Sequence, residues 1–253
     1  MATEQAKMHQ ALEDAFERLF SAFDGARFER RSDLVVALLP GIAIPQVNGA
    51  WVCEDSEAAA TALPEALAEV EAVGEWPWVQ TRHGQERTRQ AALALGLTHT
   101  ELIPGMVVRP ESFVAARADI EIGPIARGEV EETNRALAAS FEAPIELFSR
   151  FSEALERVAE ARWYVARAEG RIVSTAVGFA GDEAVGIFNV ATPGQYRGRG
   201  FGAAVTSYAL REGFDDGARF GYLQSSTIGH GVYHRLGFRD VEEYTLLTRP
   251  APN

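Results

Sequence analysis

Between Phe188 and Gly202 the chain reads F-N-V-A-T-P-G-Q-Y-R-G-R-G-F-G, and this stretch limits the fold more than any other. An apolar run from Ala184 to Val190 reads as a buried strand that breaks at Pro193-Gly194. An apolar helix pattern follows, from Ala203 to Phe214. A glycine-rich turn between a strand and a helix start has a physical use. Glycines let the backbone approach a ligand closely, and the first turn of a helix has N–H groups with no partner inside the helix. Together with the positive end of the helix dipole, those groups suit a phosphate. Arg197 and Arg199 make the loop locally basic in a chain of formal net charge −12. That combination favours an anionic small molecule, and the overall acidity argues against a nucleic-acid partner.

Two common phosphate loops fit poorly. A dinucleotide fold needs its glycine fingerprint early in a parallel α/β unit, with an acid closing a second strand. Here the preceding strand belongs to an antiparallel meander, and only about 50 residues follow the loop. A P-loop needs Gly-Lys-Ser/Thr, and this loop has no lysine.

The 253 residues can hold one large domain or two of ordinary size. The longest apolar runs, such as Leu34–Leu39, are far shorter than a membrane span, and no basic-then-apolar leader is legible. No membrane association is expected, and the cytoplasm is the default compartment. Cys53 is the only cysteine, which excludes an internal disulfide and a thiolate zinc site. No metal is implied.

Residues 5–23 place Met8, Leu12, Phe16, Leu19, Phe20 and Phe23 at helical spacing. Strands are expected at Leu34–Leu39, Ala50–Cys53 and Trp76–Gln80. A helix from Glu57 to Val73 should start from a cap at Asp55 or Ser56 and be kinked or split at Pro64. A second helix covers Thr88–Leu95, and Thr98–Arg109 is extended but interrupted at Pro104-Gly105. Residues 110–118 read as a boundary between domains 1–115 and 116–253. Beyond it come an extended segment at Ile120–Ile122 and helices over 128–141 and 144–158. Strands follow at Trp163–Ala168, Arg171–Ala180 and Ala184–Ala191, then the glycine loop and its helix. The chain closes with a strand at Phe220–Gln224, a helix near Gly229–Leu236 and a strand at Arg239–Thr248.

A faint repeat links the halves. Leu95-Gly96-Leu97 leads through an extended run to Arg109-Pro110, as Leu236-Gly237-Phe238 leads to Arg249-Pro250. The first half has no glycine loop. Its counterpart region, Val52–Leu67, holds Cys53-Glu54-Asp55-Ser56-Glu57, whose carboxylates would repel phosphate.

At this point the chain resembles a family. Gln195-Tyr196-Arg197-Gly198-Arg199-Gly200 is similar to the Q/R-x-x-G-x-G/A loop of the GNAT acyltransferases, preceded by their V-x-x-P pattern at Val190 and Pro193. About 30 residues downstream, Gly231-Val232-Tyr233-His234-Arg235-Leu236-Gly237-Phe238 resembles the family's tyrosine helix and LGF ending. The likeness covers 118–250 well, and residues 1–115 look like a degenerate second unit. The fold it implies is α/β (α+β): two GNAT-like units, each a mixed, mostly antiparallel central sheet flanked by helices.

The resemblance also implies a chemistry. Backbone groups at Asn189, Val190 and Ala191 would pair with a pantetheine arm. Gln195 and the N–H groups of Arg197, Gly198, Arg199, Gly200, Phe201, Gly202 and Ala203 would cradle a pyrophosphate. Acetyl-CoA is the donor expected. A small-molecule or peptide amine would attack its thioester directly, and Tyr233 would protonate the departing thiolate. Ser226 stands where many relatives have Asn, which weakens the expectation of a side-chain contact there. The general base stays open between Glu183, His230 and a water, with Asn189 able to hold a water or a substrate carbonyl. Phe141, Phe148, Phe151, Trp163 and Tyr164 fall in the elements that would wall the acceptor side, with Glu142 and Glu146 nearby. The acceptor's identity and the oligomeric state, a homodimer included, are left open. A non-catalytic acyl-CoA sensor is the alternative from another class.

Overall fold

The computed structural model describes residues 3–42 and 47–250. In chain order the elements are α1 (Glu4–Ser21), β1 (Arg27–Arg31), β2 (Leu34–Leu38), β3 (Gly49–Val52), α2 (Glu57–Ala72), β4 (Trp78–Arg82), α3 (Glu86–Ala94) and β5 (His99–Val108). There follow β6 (Glu121–Pro124), α4 (Val130–Phe141), α5 (Ile145–Leu155), β7 (Ala161–Ala168), β8 (Arg171–Ala180) and β9 (Ala184–Ala191). The last elements are α6 (Phe201–Asp215), β10 (Phe220–Gln224), α7 (His230–Arg235) and β11 (Arg239–Thr248). Among the described residues no helix is long and apolar enough to cross a membrane. The architecture is mixed α/β with mostly antiparallel strand pairing and helices packed on the sheet, as the sequence implied.

The chain forms two compact units, and neither is a continuous stretch. One comprises residues 3–22 and 105–241, the other 23–104 and 242–250. This partition differs from a single cut at 115. Each half sends its last strand into the other half's unit: the end of β5 pairs with β10, and β11 pairs with β4.

In the first unit the strand order is β5-β10-β9-β8-β7-β6. All neighbours there are antiparallel except β9 and β10, which run parallel. A parallel pair needs a crossover, and α6 supplies it. One face of this sheet is covered by α6, whose Phe201, Val205, Ala209 and Leu210 pack with Tyr164, Val185 and Leu223. The apolar stripe of α1 is Met8, Leu12, Phe16 and Phe20, all buried. Its Phe16 ring meets Phe188 of β9 edge-on at 6.1 Å, and the Tyr222 hydroxyl of β10 donates to the Ala11 carbonyl at 2.8 Å.

The second unit repeats this plan with shorter strands. Its order is β1-β2-β3-β4-β11, and β3 and β4 are the parallel pair, joined through α2. Leu34, Val36, Leu63, Leu67, Val79 and Leu247 form its core. Ser56 caps α2, its Oγ accepting from the Ala59 N–H at 3.0 Å. Asp55 does different work: it accepts from the Arg87 and Thr88 N–H groups and so caps α3. The expected split at Pro64 does not occur, and α2 runs through it as one helix. Pro64 lies on the exposed face, where water can hydrate the carbonyl it leaves unpaired. On the opposite face Leu63, Ala66, Leu67 and Val70 are buried and hold the helix together. Likewise β5 continues through Pro104 without a break.

Candidate functional site

The site is built where β9 leaves its neighbours. Toward β8, the register passes from Phe188 opposite Val177 to Ala191 opposite Thr175. Two residues, Asn189 and Val190, therefore face the single residue Ala176, which is a β-bulge. Asn189 takes φ 49°, a left-handed conformation that asparagine tolerates better than most residues. Two hydroxyls of β8 hold the bulge in place. Thr175 Oγ1 donates to the Asn189 carbonyl at 3.0 Å, and Ser174 Oγ donates to the Ala191 carbonyl at 2.9 Å. Ser174 Oγ also lies 2.9 Å from Thr192 Oγ1.

On its other side, β9 is paired with β10 only from Ala184 to Gly186. Leu223 and Gln224 of β10 remain paired with β5 but no longer with β9. The two parallel strands thus part, and Ile187–Ala191 keep an edge to which an extended ligand can add backbone hydrogen bonds.

The glycine loop caps the open end. A 3₁₀ turn at Gly194–Tyr196 leads to Gly198 and Gly200, both left-handed at φ 75° and 81°. Gly200 is the residue immediately before α6, and its carbonyl accepts from the Ala204 N–H at 3.0 Å. The N–H groups of Phe201, Gly202 and Ala203 precede the first intrahelical bond of α6 and have no carbonyl four residues back within the helix. The Arg197 N–H is directed to the Gly194 carbonyl at 3.3 Å. Its guanidinium donates to the Thr192 and Ser140 carbonyls at 3.0 and 3.1 Å, so this arginine fixes the loop to β9 and α4. Arg199 lies over the Phe201 ring at 4.7 Å, and that ring anchors the start of α6 in the core. Gln195 is exposed.

Tyr233 sits on α7 with its ring buried, 8% exposed, against Phe238 at 5.8 Å. Among the described residues its hydroxyl has no hydrogen-bond partner. Burial pushes the phenol up to about 12. Ser226 lies in the loop from β10 to α7, exposed, and its Oγ accepts from the Gly229 N–H at 3.2 Å. It shapes the approach to α7.

Other residues named from sequence are placed elsewhere. Glu183 is six residues before the bulge, about 20 Å along an extended strand. It pairs with Lys7 at 3.2 Å and Arg219 at 3.1 Å, and the Lys7 hydrogen bond first of all holds its carboxyl below the usual range. Glu183 is thus engaged by two cations away from the bulge. It borders a separate cavity of about 420 Å³ under α1. His230 is bonded to Asp240 at 2.8 Å. Phe148, Phe151, Trp163 and Tyr164 are core residues, while Phe141 is 51% exposed and stacked on Phe148. Glu142 and Glu146 are exposed. The hydroxyls that hold the bulge were missed from sequence. Their signal is a polar pair, Ser174-Thr175, inside an otherwise apolar strand.

The comparisons agree with this fold. Residues 130–238 match the acetyltransferase (GNAT) family. A GCN5-related N-acetyltransferase from Kribbella flavida shares the fold at a TM-score of 0.70 and 20% identity, over 96% of this chain and 95% of that one. A conserved protein of unknown function from Staphylococcus epidermidis matches at 0.69 and 11% identity, over 90% and 95% of the two chains. A GCN5-related N-acetyltransferase from Sphaerobacter thermophilus matches at 0.61 and 17%, over 81% and 74%. No curated protein sequence matches the chain. The bulge, the glycine loop and Tyr233 all lie within the stretch 130–238 that matches the GNAT family.

Proposed function

We propose that the protein transfers an acetyl group from acetyl-CoA to a primary amine by direct attack, with the parted strands β9 and β10 as the donor cleft. The open edge at Asn189, Val190 and Ala191 suits the amides of a pantetheine arm. The N–H groups from Gly198 to Ala203 suit its pyrophosphate, and a Cβ at Gly198 or Gly200 would hinder both the turn and the approach. Arg197 contributes by holding the loop, and Arg199 by its charge.

The observation that carries the reading is Tyr233. Its ring is buried while its hydroxyl, bonded to no protein group among the described residues, is not sealed from solvent and is free to meet a ligand. Its raised pKa keeps it protonated throughout the physiological range. A neutral phenol in that state can donate a proton to a departing thiolate. With Glu183 remote and His230 engaged by Asp240, a water carries the amine proton away. In the second unit the same element order lacks a glycine loop, and Asp55 with Ser56 occupy helix starts there, so that half serves as a degenerate relative without chemistry.

The test is thiol release from acetyl-CoA across a panel of small amines and peptide N-termini. Tyr233→Phe is expected to lower kcat by about 10²-fold, with CoA affinity within about twofold. Flat release for every amine, alongside intact CoA binding, would instead identify an acyl-CoA sensor.

A further inference from the structure

The tyrosine helix carries a cluster that the proposed acyl transfer does not use. His230 and His234 stand four apart on α7 and so share a face. The helix ends in a left-handed Gly237 at φ 91°. The Phe238 N–H reaches back to the Tyr233 carbonyl at 3.1 Å, and the Gly237 N–H to the His234 carbonyl at 3.0 Å. This Schellman pattern turns the chain sharply and brings Asp240, near the start of β11, to the two imidazoles.

Four electron-rich atoms from three side chains meet there. His230 Nε2 is 2.8 Å from Asp240 Oδ1, His234 Nε2 is 3.3 Å from Asp240 Oδ2, and the two Nε2 atoms are 3.2 Å apart. The tautomer of His234 follows from its other nitrogen. Nδ1 lies 3.1 Å from the Phe238 carbonyl, which can only accept, so Nδ1 carries the hydrogen. Neutral His234 therefore aims the Nε2 lone pair at a carboxylate oxygen and at a second imidazole nitrogen. A hydrogen on His230 Nε2 satisfies Asp240 Oδ1 but leaves His234 Nε2 facing Oδ2. Positive charge placed among the three side chains satisfies all of them. Among the described residues this is the one group of three His, Cys, Asp or Glu side chains whose ligand atoms all lie within 4.8 Å of one another.

We propose that His230 Nε2, His234 Nε2 and Asp240 bind a divalent transition-metal ion of the zinc class, with its fourth position open to solvent. Metal–ligand bonds of about 2.0–2.2 Å in a tetrahedron separate neighbouring ligand atoms by about 3.3–3.5 Å. Two of the three separations, 3.2 and 3.3 Å, already approach that value, and the 2.8 Å contact between His230 and the other carboxylate oxygen opens by about half an ångström to admit the ion. Two imidazoles and one carboxylate select zinc, cobalt or nickel over magnesium and calcium, which prefer all-oxygen sets. The Phe238 carbonyl on Nδ1 is the outer contact that orients a ligating histidine. The side chains are 34%, 44% and 47% exposed, so an ion reaches them directly. Bound there, it ties α7, and with it Tyr233, to the start of β11.

The experiment uses the full chain without a histidine tag, stripped with chelator and titrated with Co²⁺ and then Zn²⁺. One equivalent of Co²⁺ is expected to give the visible absorption of a low-coordinate site, displaced by Zn²⁺. His234→Ala and Asp240→Asn should each weaken binding about tenfold or more, and His83→Ala should leave it unchanged. The wild type alone supplies a second readout, because Zn²⁺ should shift the NMR signals of two of its five histidines. A spectrum that stays that of aqueous Co²⁺, or equal binding by wild type and the His230→Ala/His234→Ala double variant, overturns the site. So does a histidine spectrum that Zn²⁺ leaves unmoved.

Discussion

At the scale of single residues the donor loop depends on backbone conformation more than on charge. Gly200 combines φ 81° with the position just before α6. An alanine there costs about 1–2 kcal/mol for the left-handed backbone and puts a methyl group where the proposed donor's phosphate would approach. Gly200→Ala is thus expected to lower thermal stability modestly and raise KM for acetyl-CoA about tenfold or more, a loss near 1.4 kcal/mol, with a smaller change in kcat. Steady-state kinetics with a fixed amine check this. Arg197→Ala should behave differently, because the guanidinium bonds Thr192 and Ser140 carbonyls. Its expected signature is faster hydrogen exchange across residues 192–200, with only a fewfold loss of donor affinity. A loss of donor affinity as large as that of Gly200→Ala would mean that Arg197 contacts phosphate directly.

At the scale of elements the entry to α4 is set by one carboxylate. Glu129 accepts from the Ala126 N–H at 2.7 Å and from Arg167 Nε at 2.5 Å, and Arg167 also bonds the Pro124 carbonyl. The Arg167 hydrogen bond is the first reason that the Glu129 carboxyl lies below its usual range. A depressed carboxylate adds stability above its unfolded pKa, near 4.3, and that stability is lost as pH falls through the folded value. Glu129→Gln is therefore expected to cost roughly 1–2 kcal/mol at pH 7 and almost nothing near pH 2, as urea melts at the two pH values would report. Elements such as α1, β2 and α6 were legible because their apolar residues repeat at helical or strand spacing. The strand β1 was not, since Arg27–Arg31 has one aromatic residue among charges. Its Arg27 and Arg31 are held by Glu69 of α2, a partner that no local pattern reveals. The same applies to the site. The loop and Tyr233 were readable as motifs, whereas the bulge at Asn189 depends on hydroxyls of another strand, and Asp240 joins the histidines only through the turn at Gly237.

At the scale of the whole molecule, the order of elements along the chain and the order of strands in space disagree at one point, the last strand of each half. The repeat was visible in sequence as two runs ending in Arg-Pro, and the exchange of those runs was not, because a strand's pattern records burial and not which neighbour buries it. This exchange has a consequence for autonomy. A fragment of residues 116–253 would lack α1 and the Gly105–Val108 segment that pairs with β10. It would also keep a β11 whose partner β4 is missing. Two sheet edges and the apolar surface under Met8, Leu12 and Phe16 would then face water, which is a recipe for aggregation. The complementary fragment, 1–115, would have β4 without β11 and a β5 without β10. Each fragment alone is therefore expected to show no cooperative melt and to precipitate or elute as a heterogeneous species. Expressed together, the two should copurify, melt in a cooperative transition and recover acetyl-CoA binding, since every strand again has its partner. A soluble, cooperatively melting and CoA-binding 116–253 would show instead that the exchanged strands are dispensable and that the second half folds by itself.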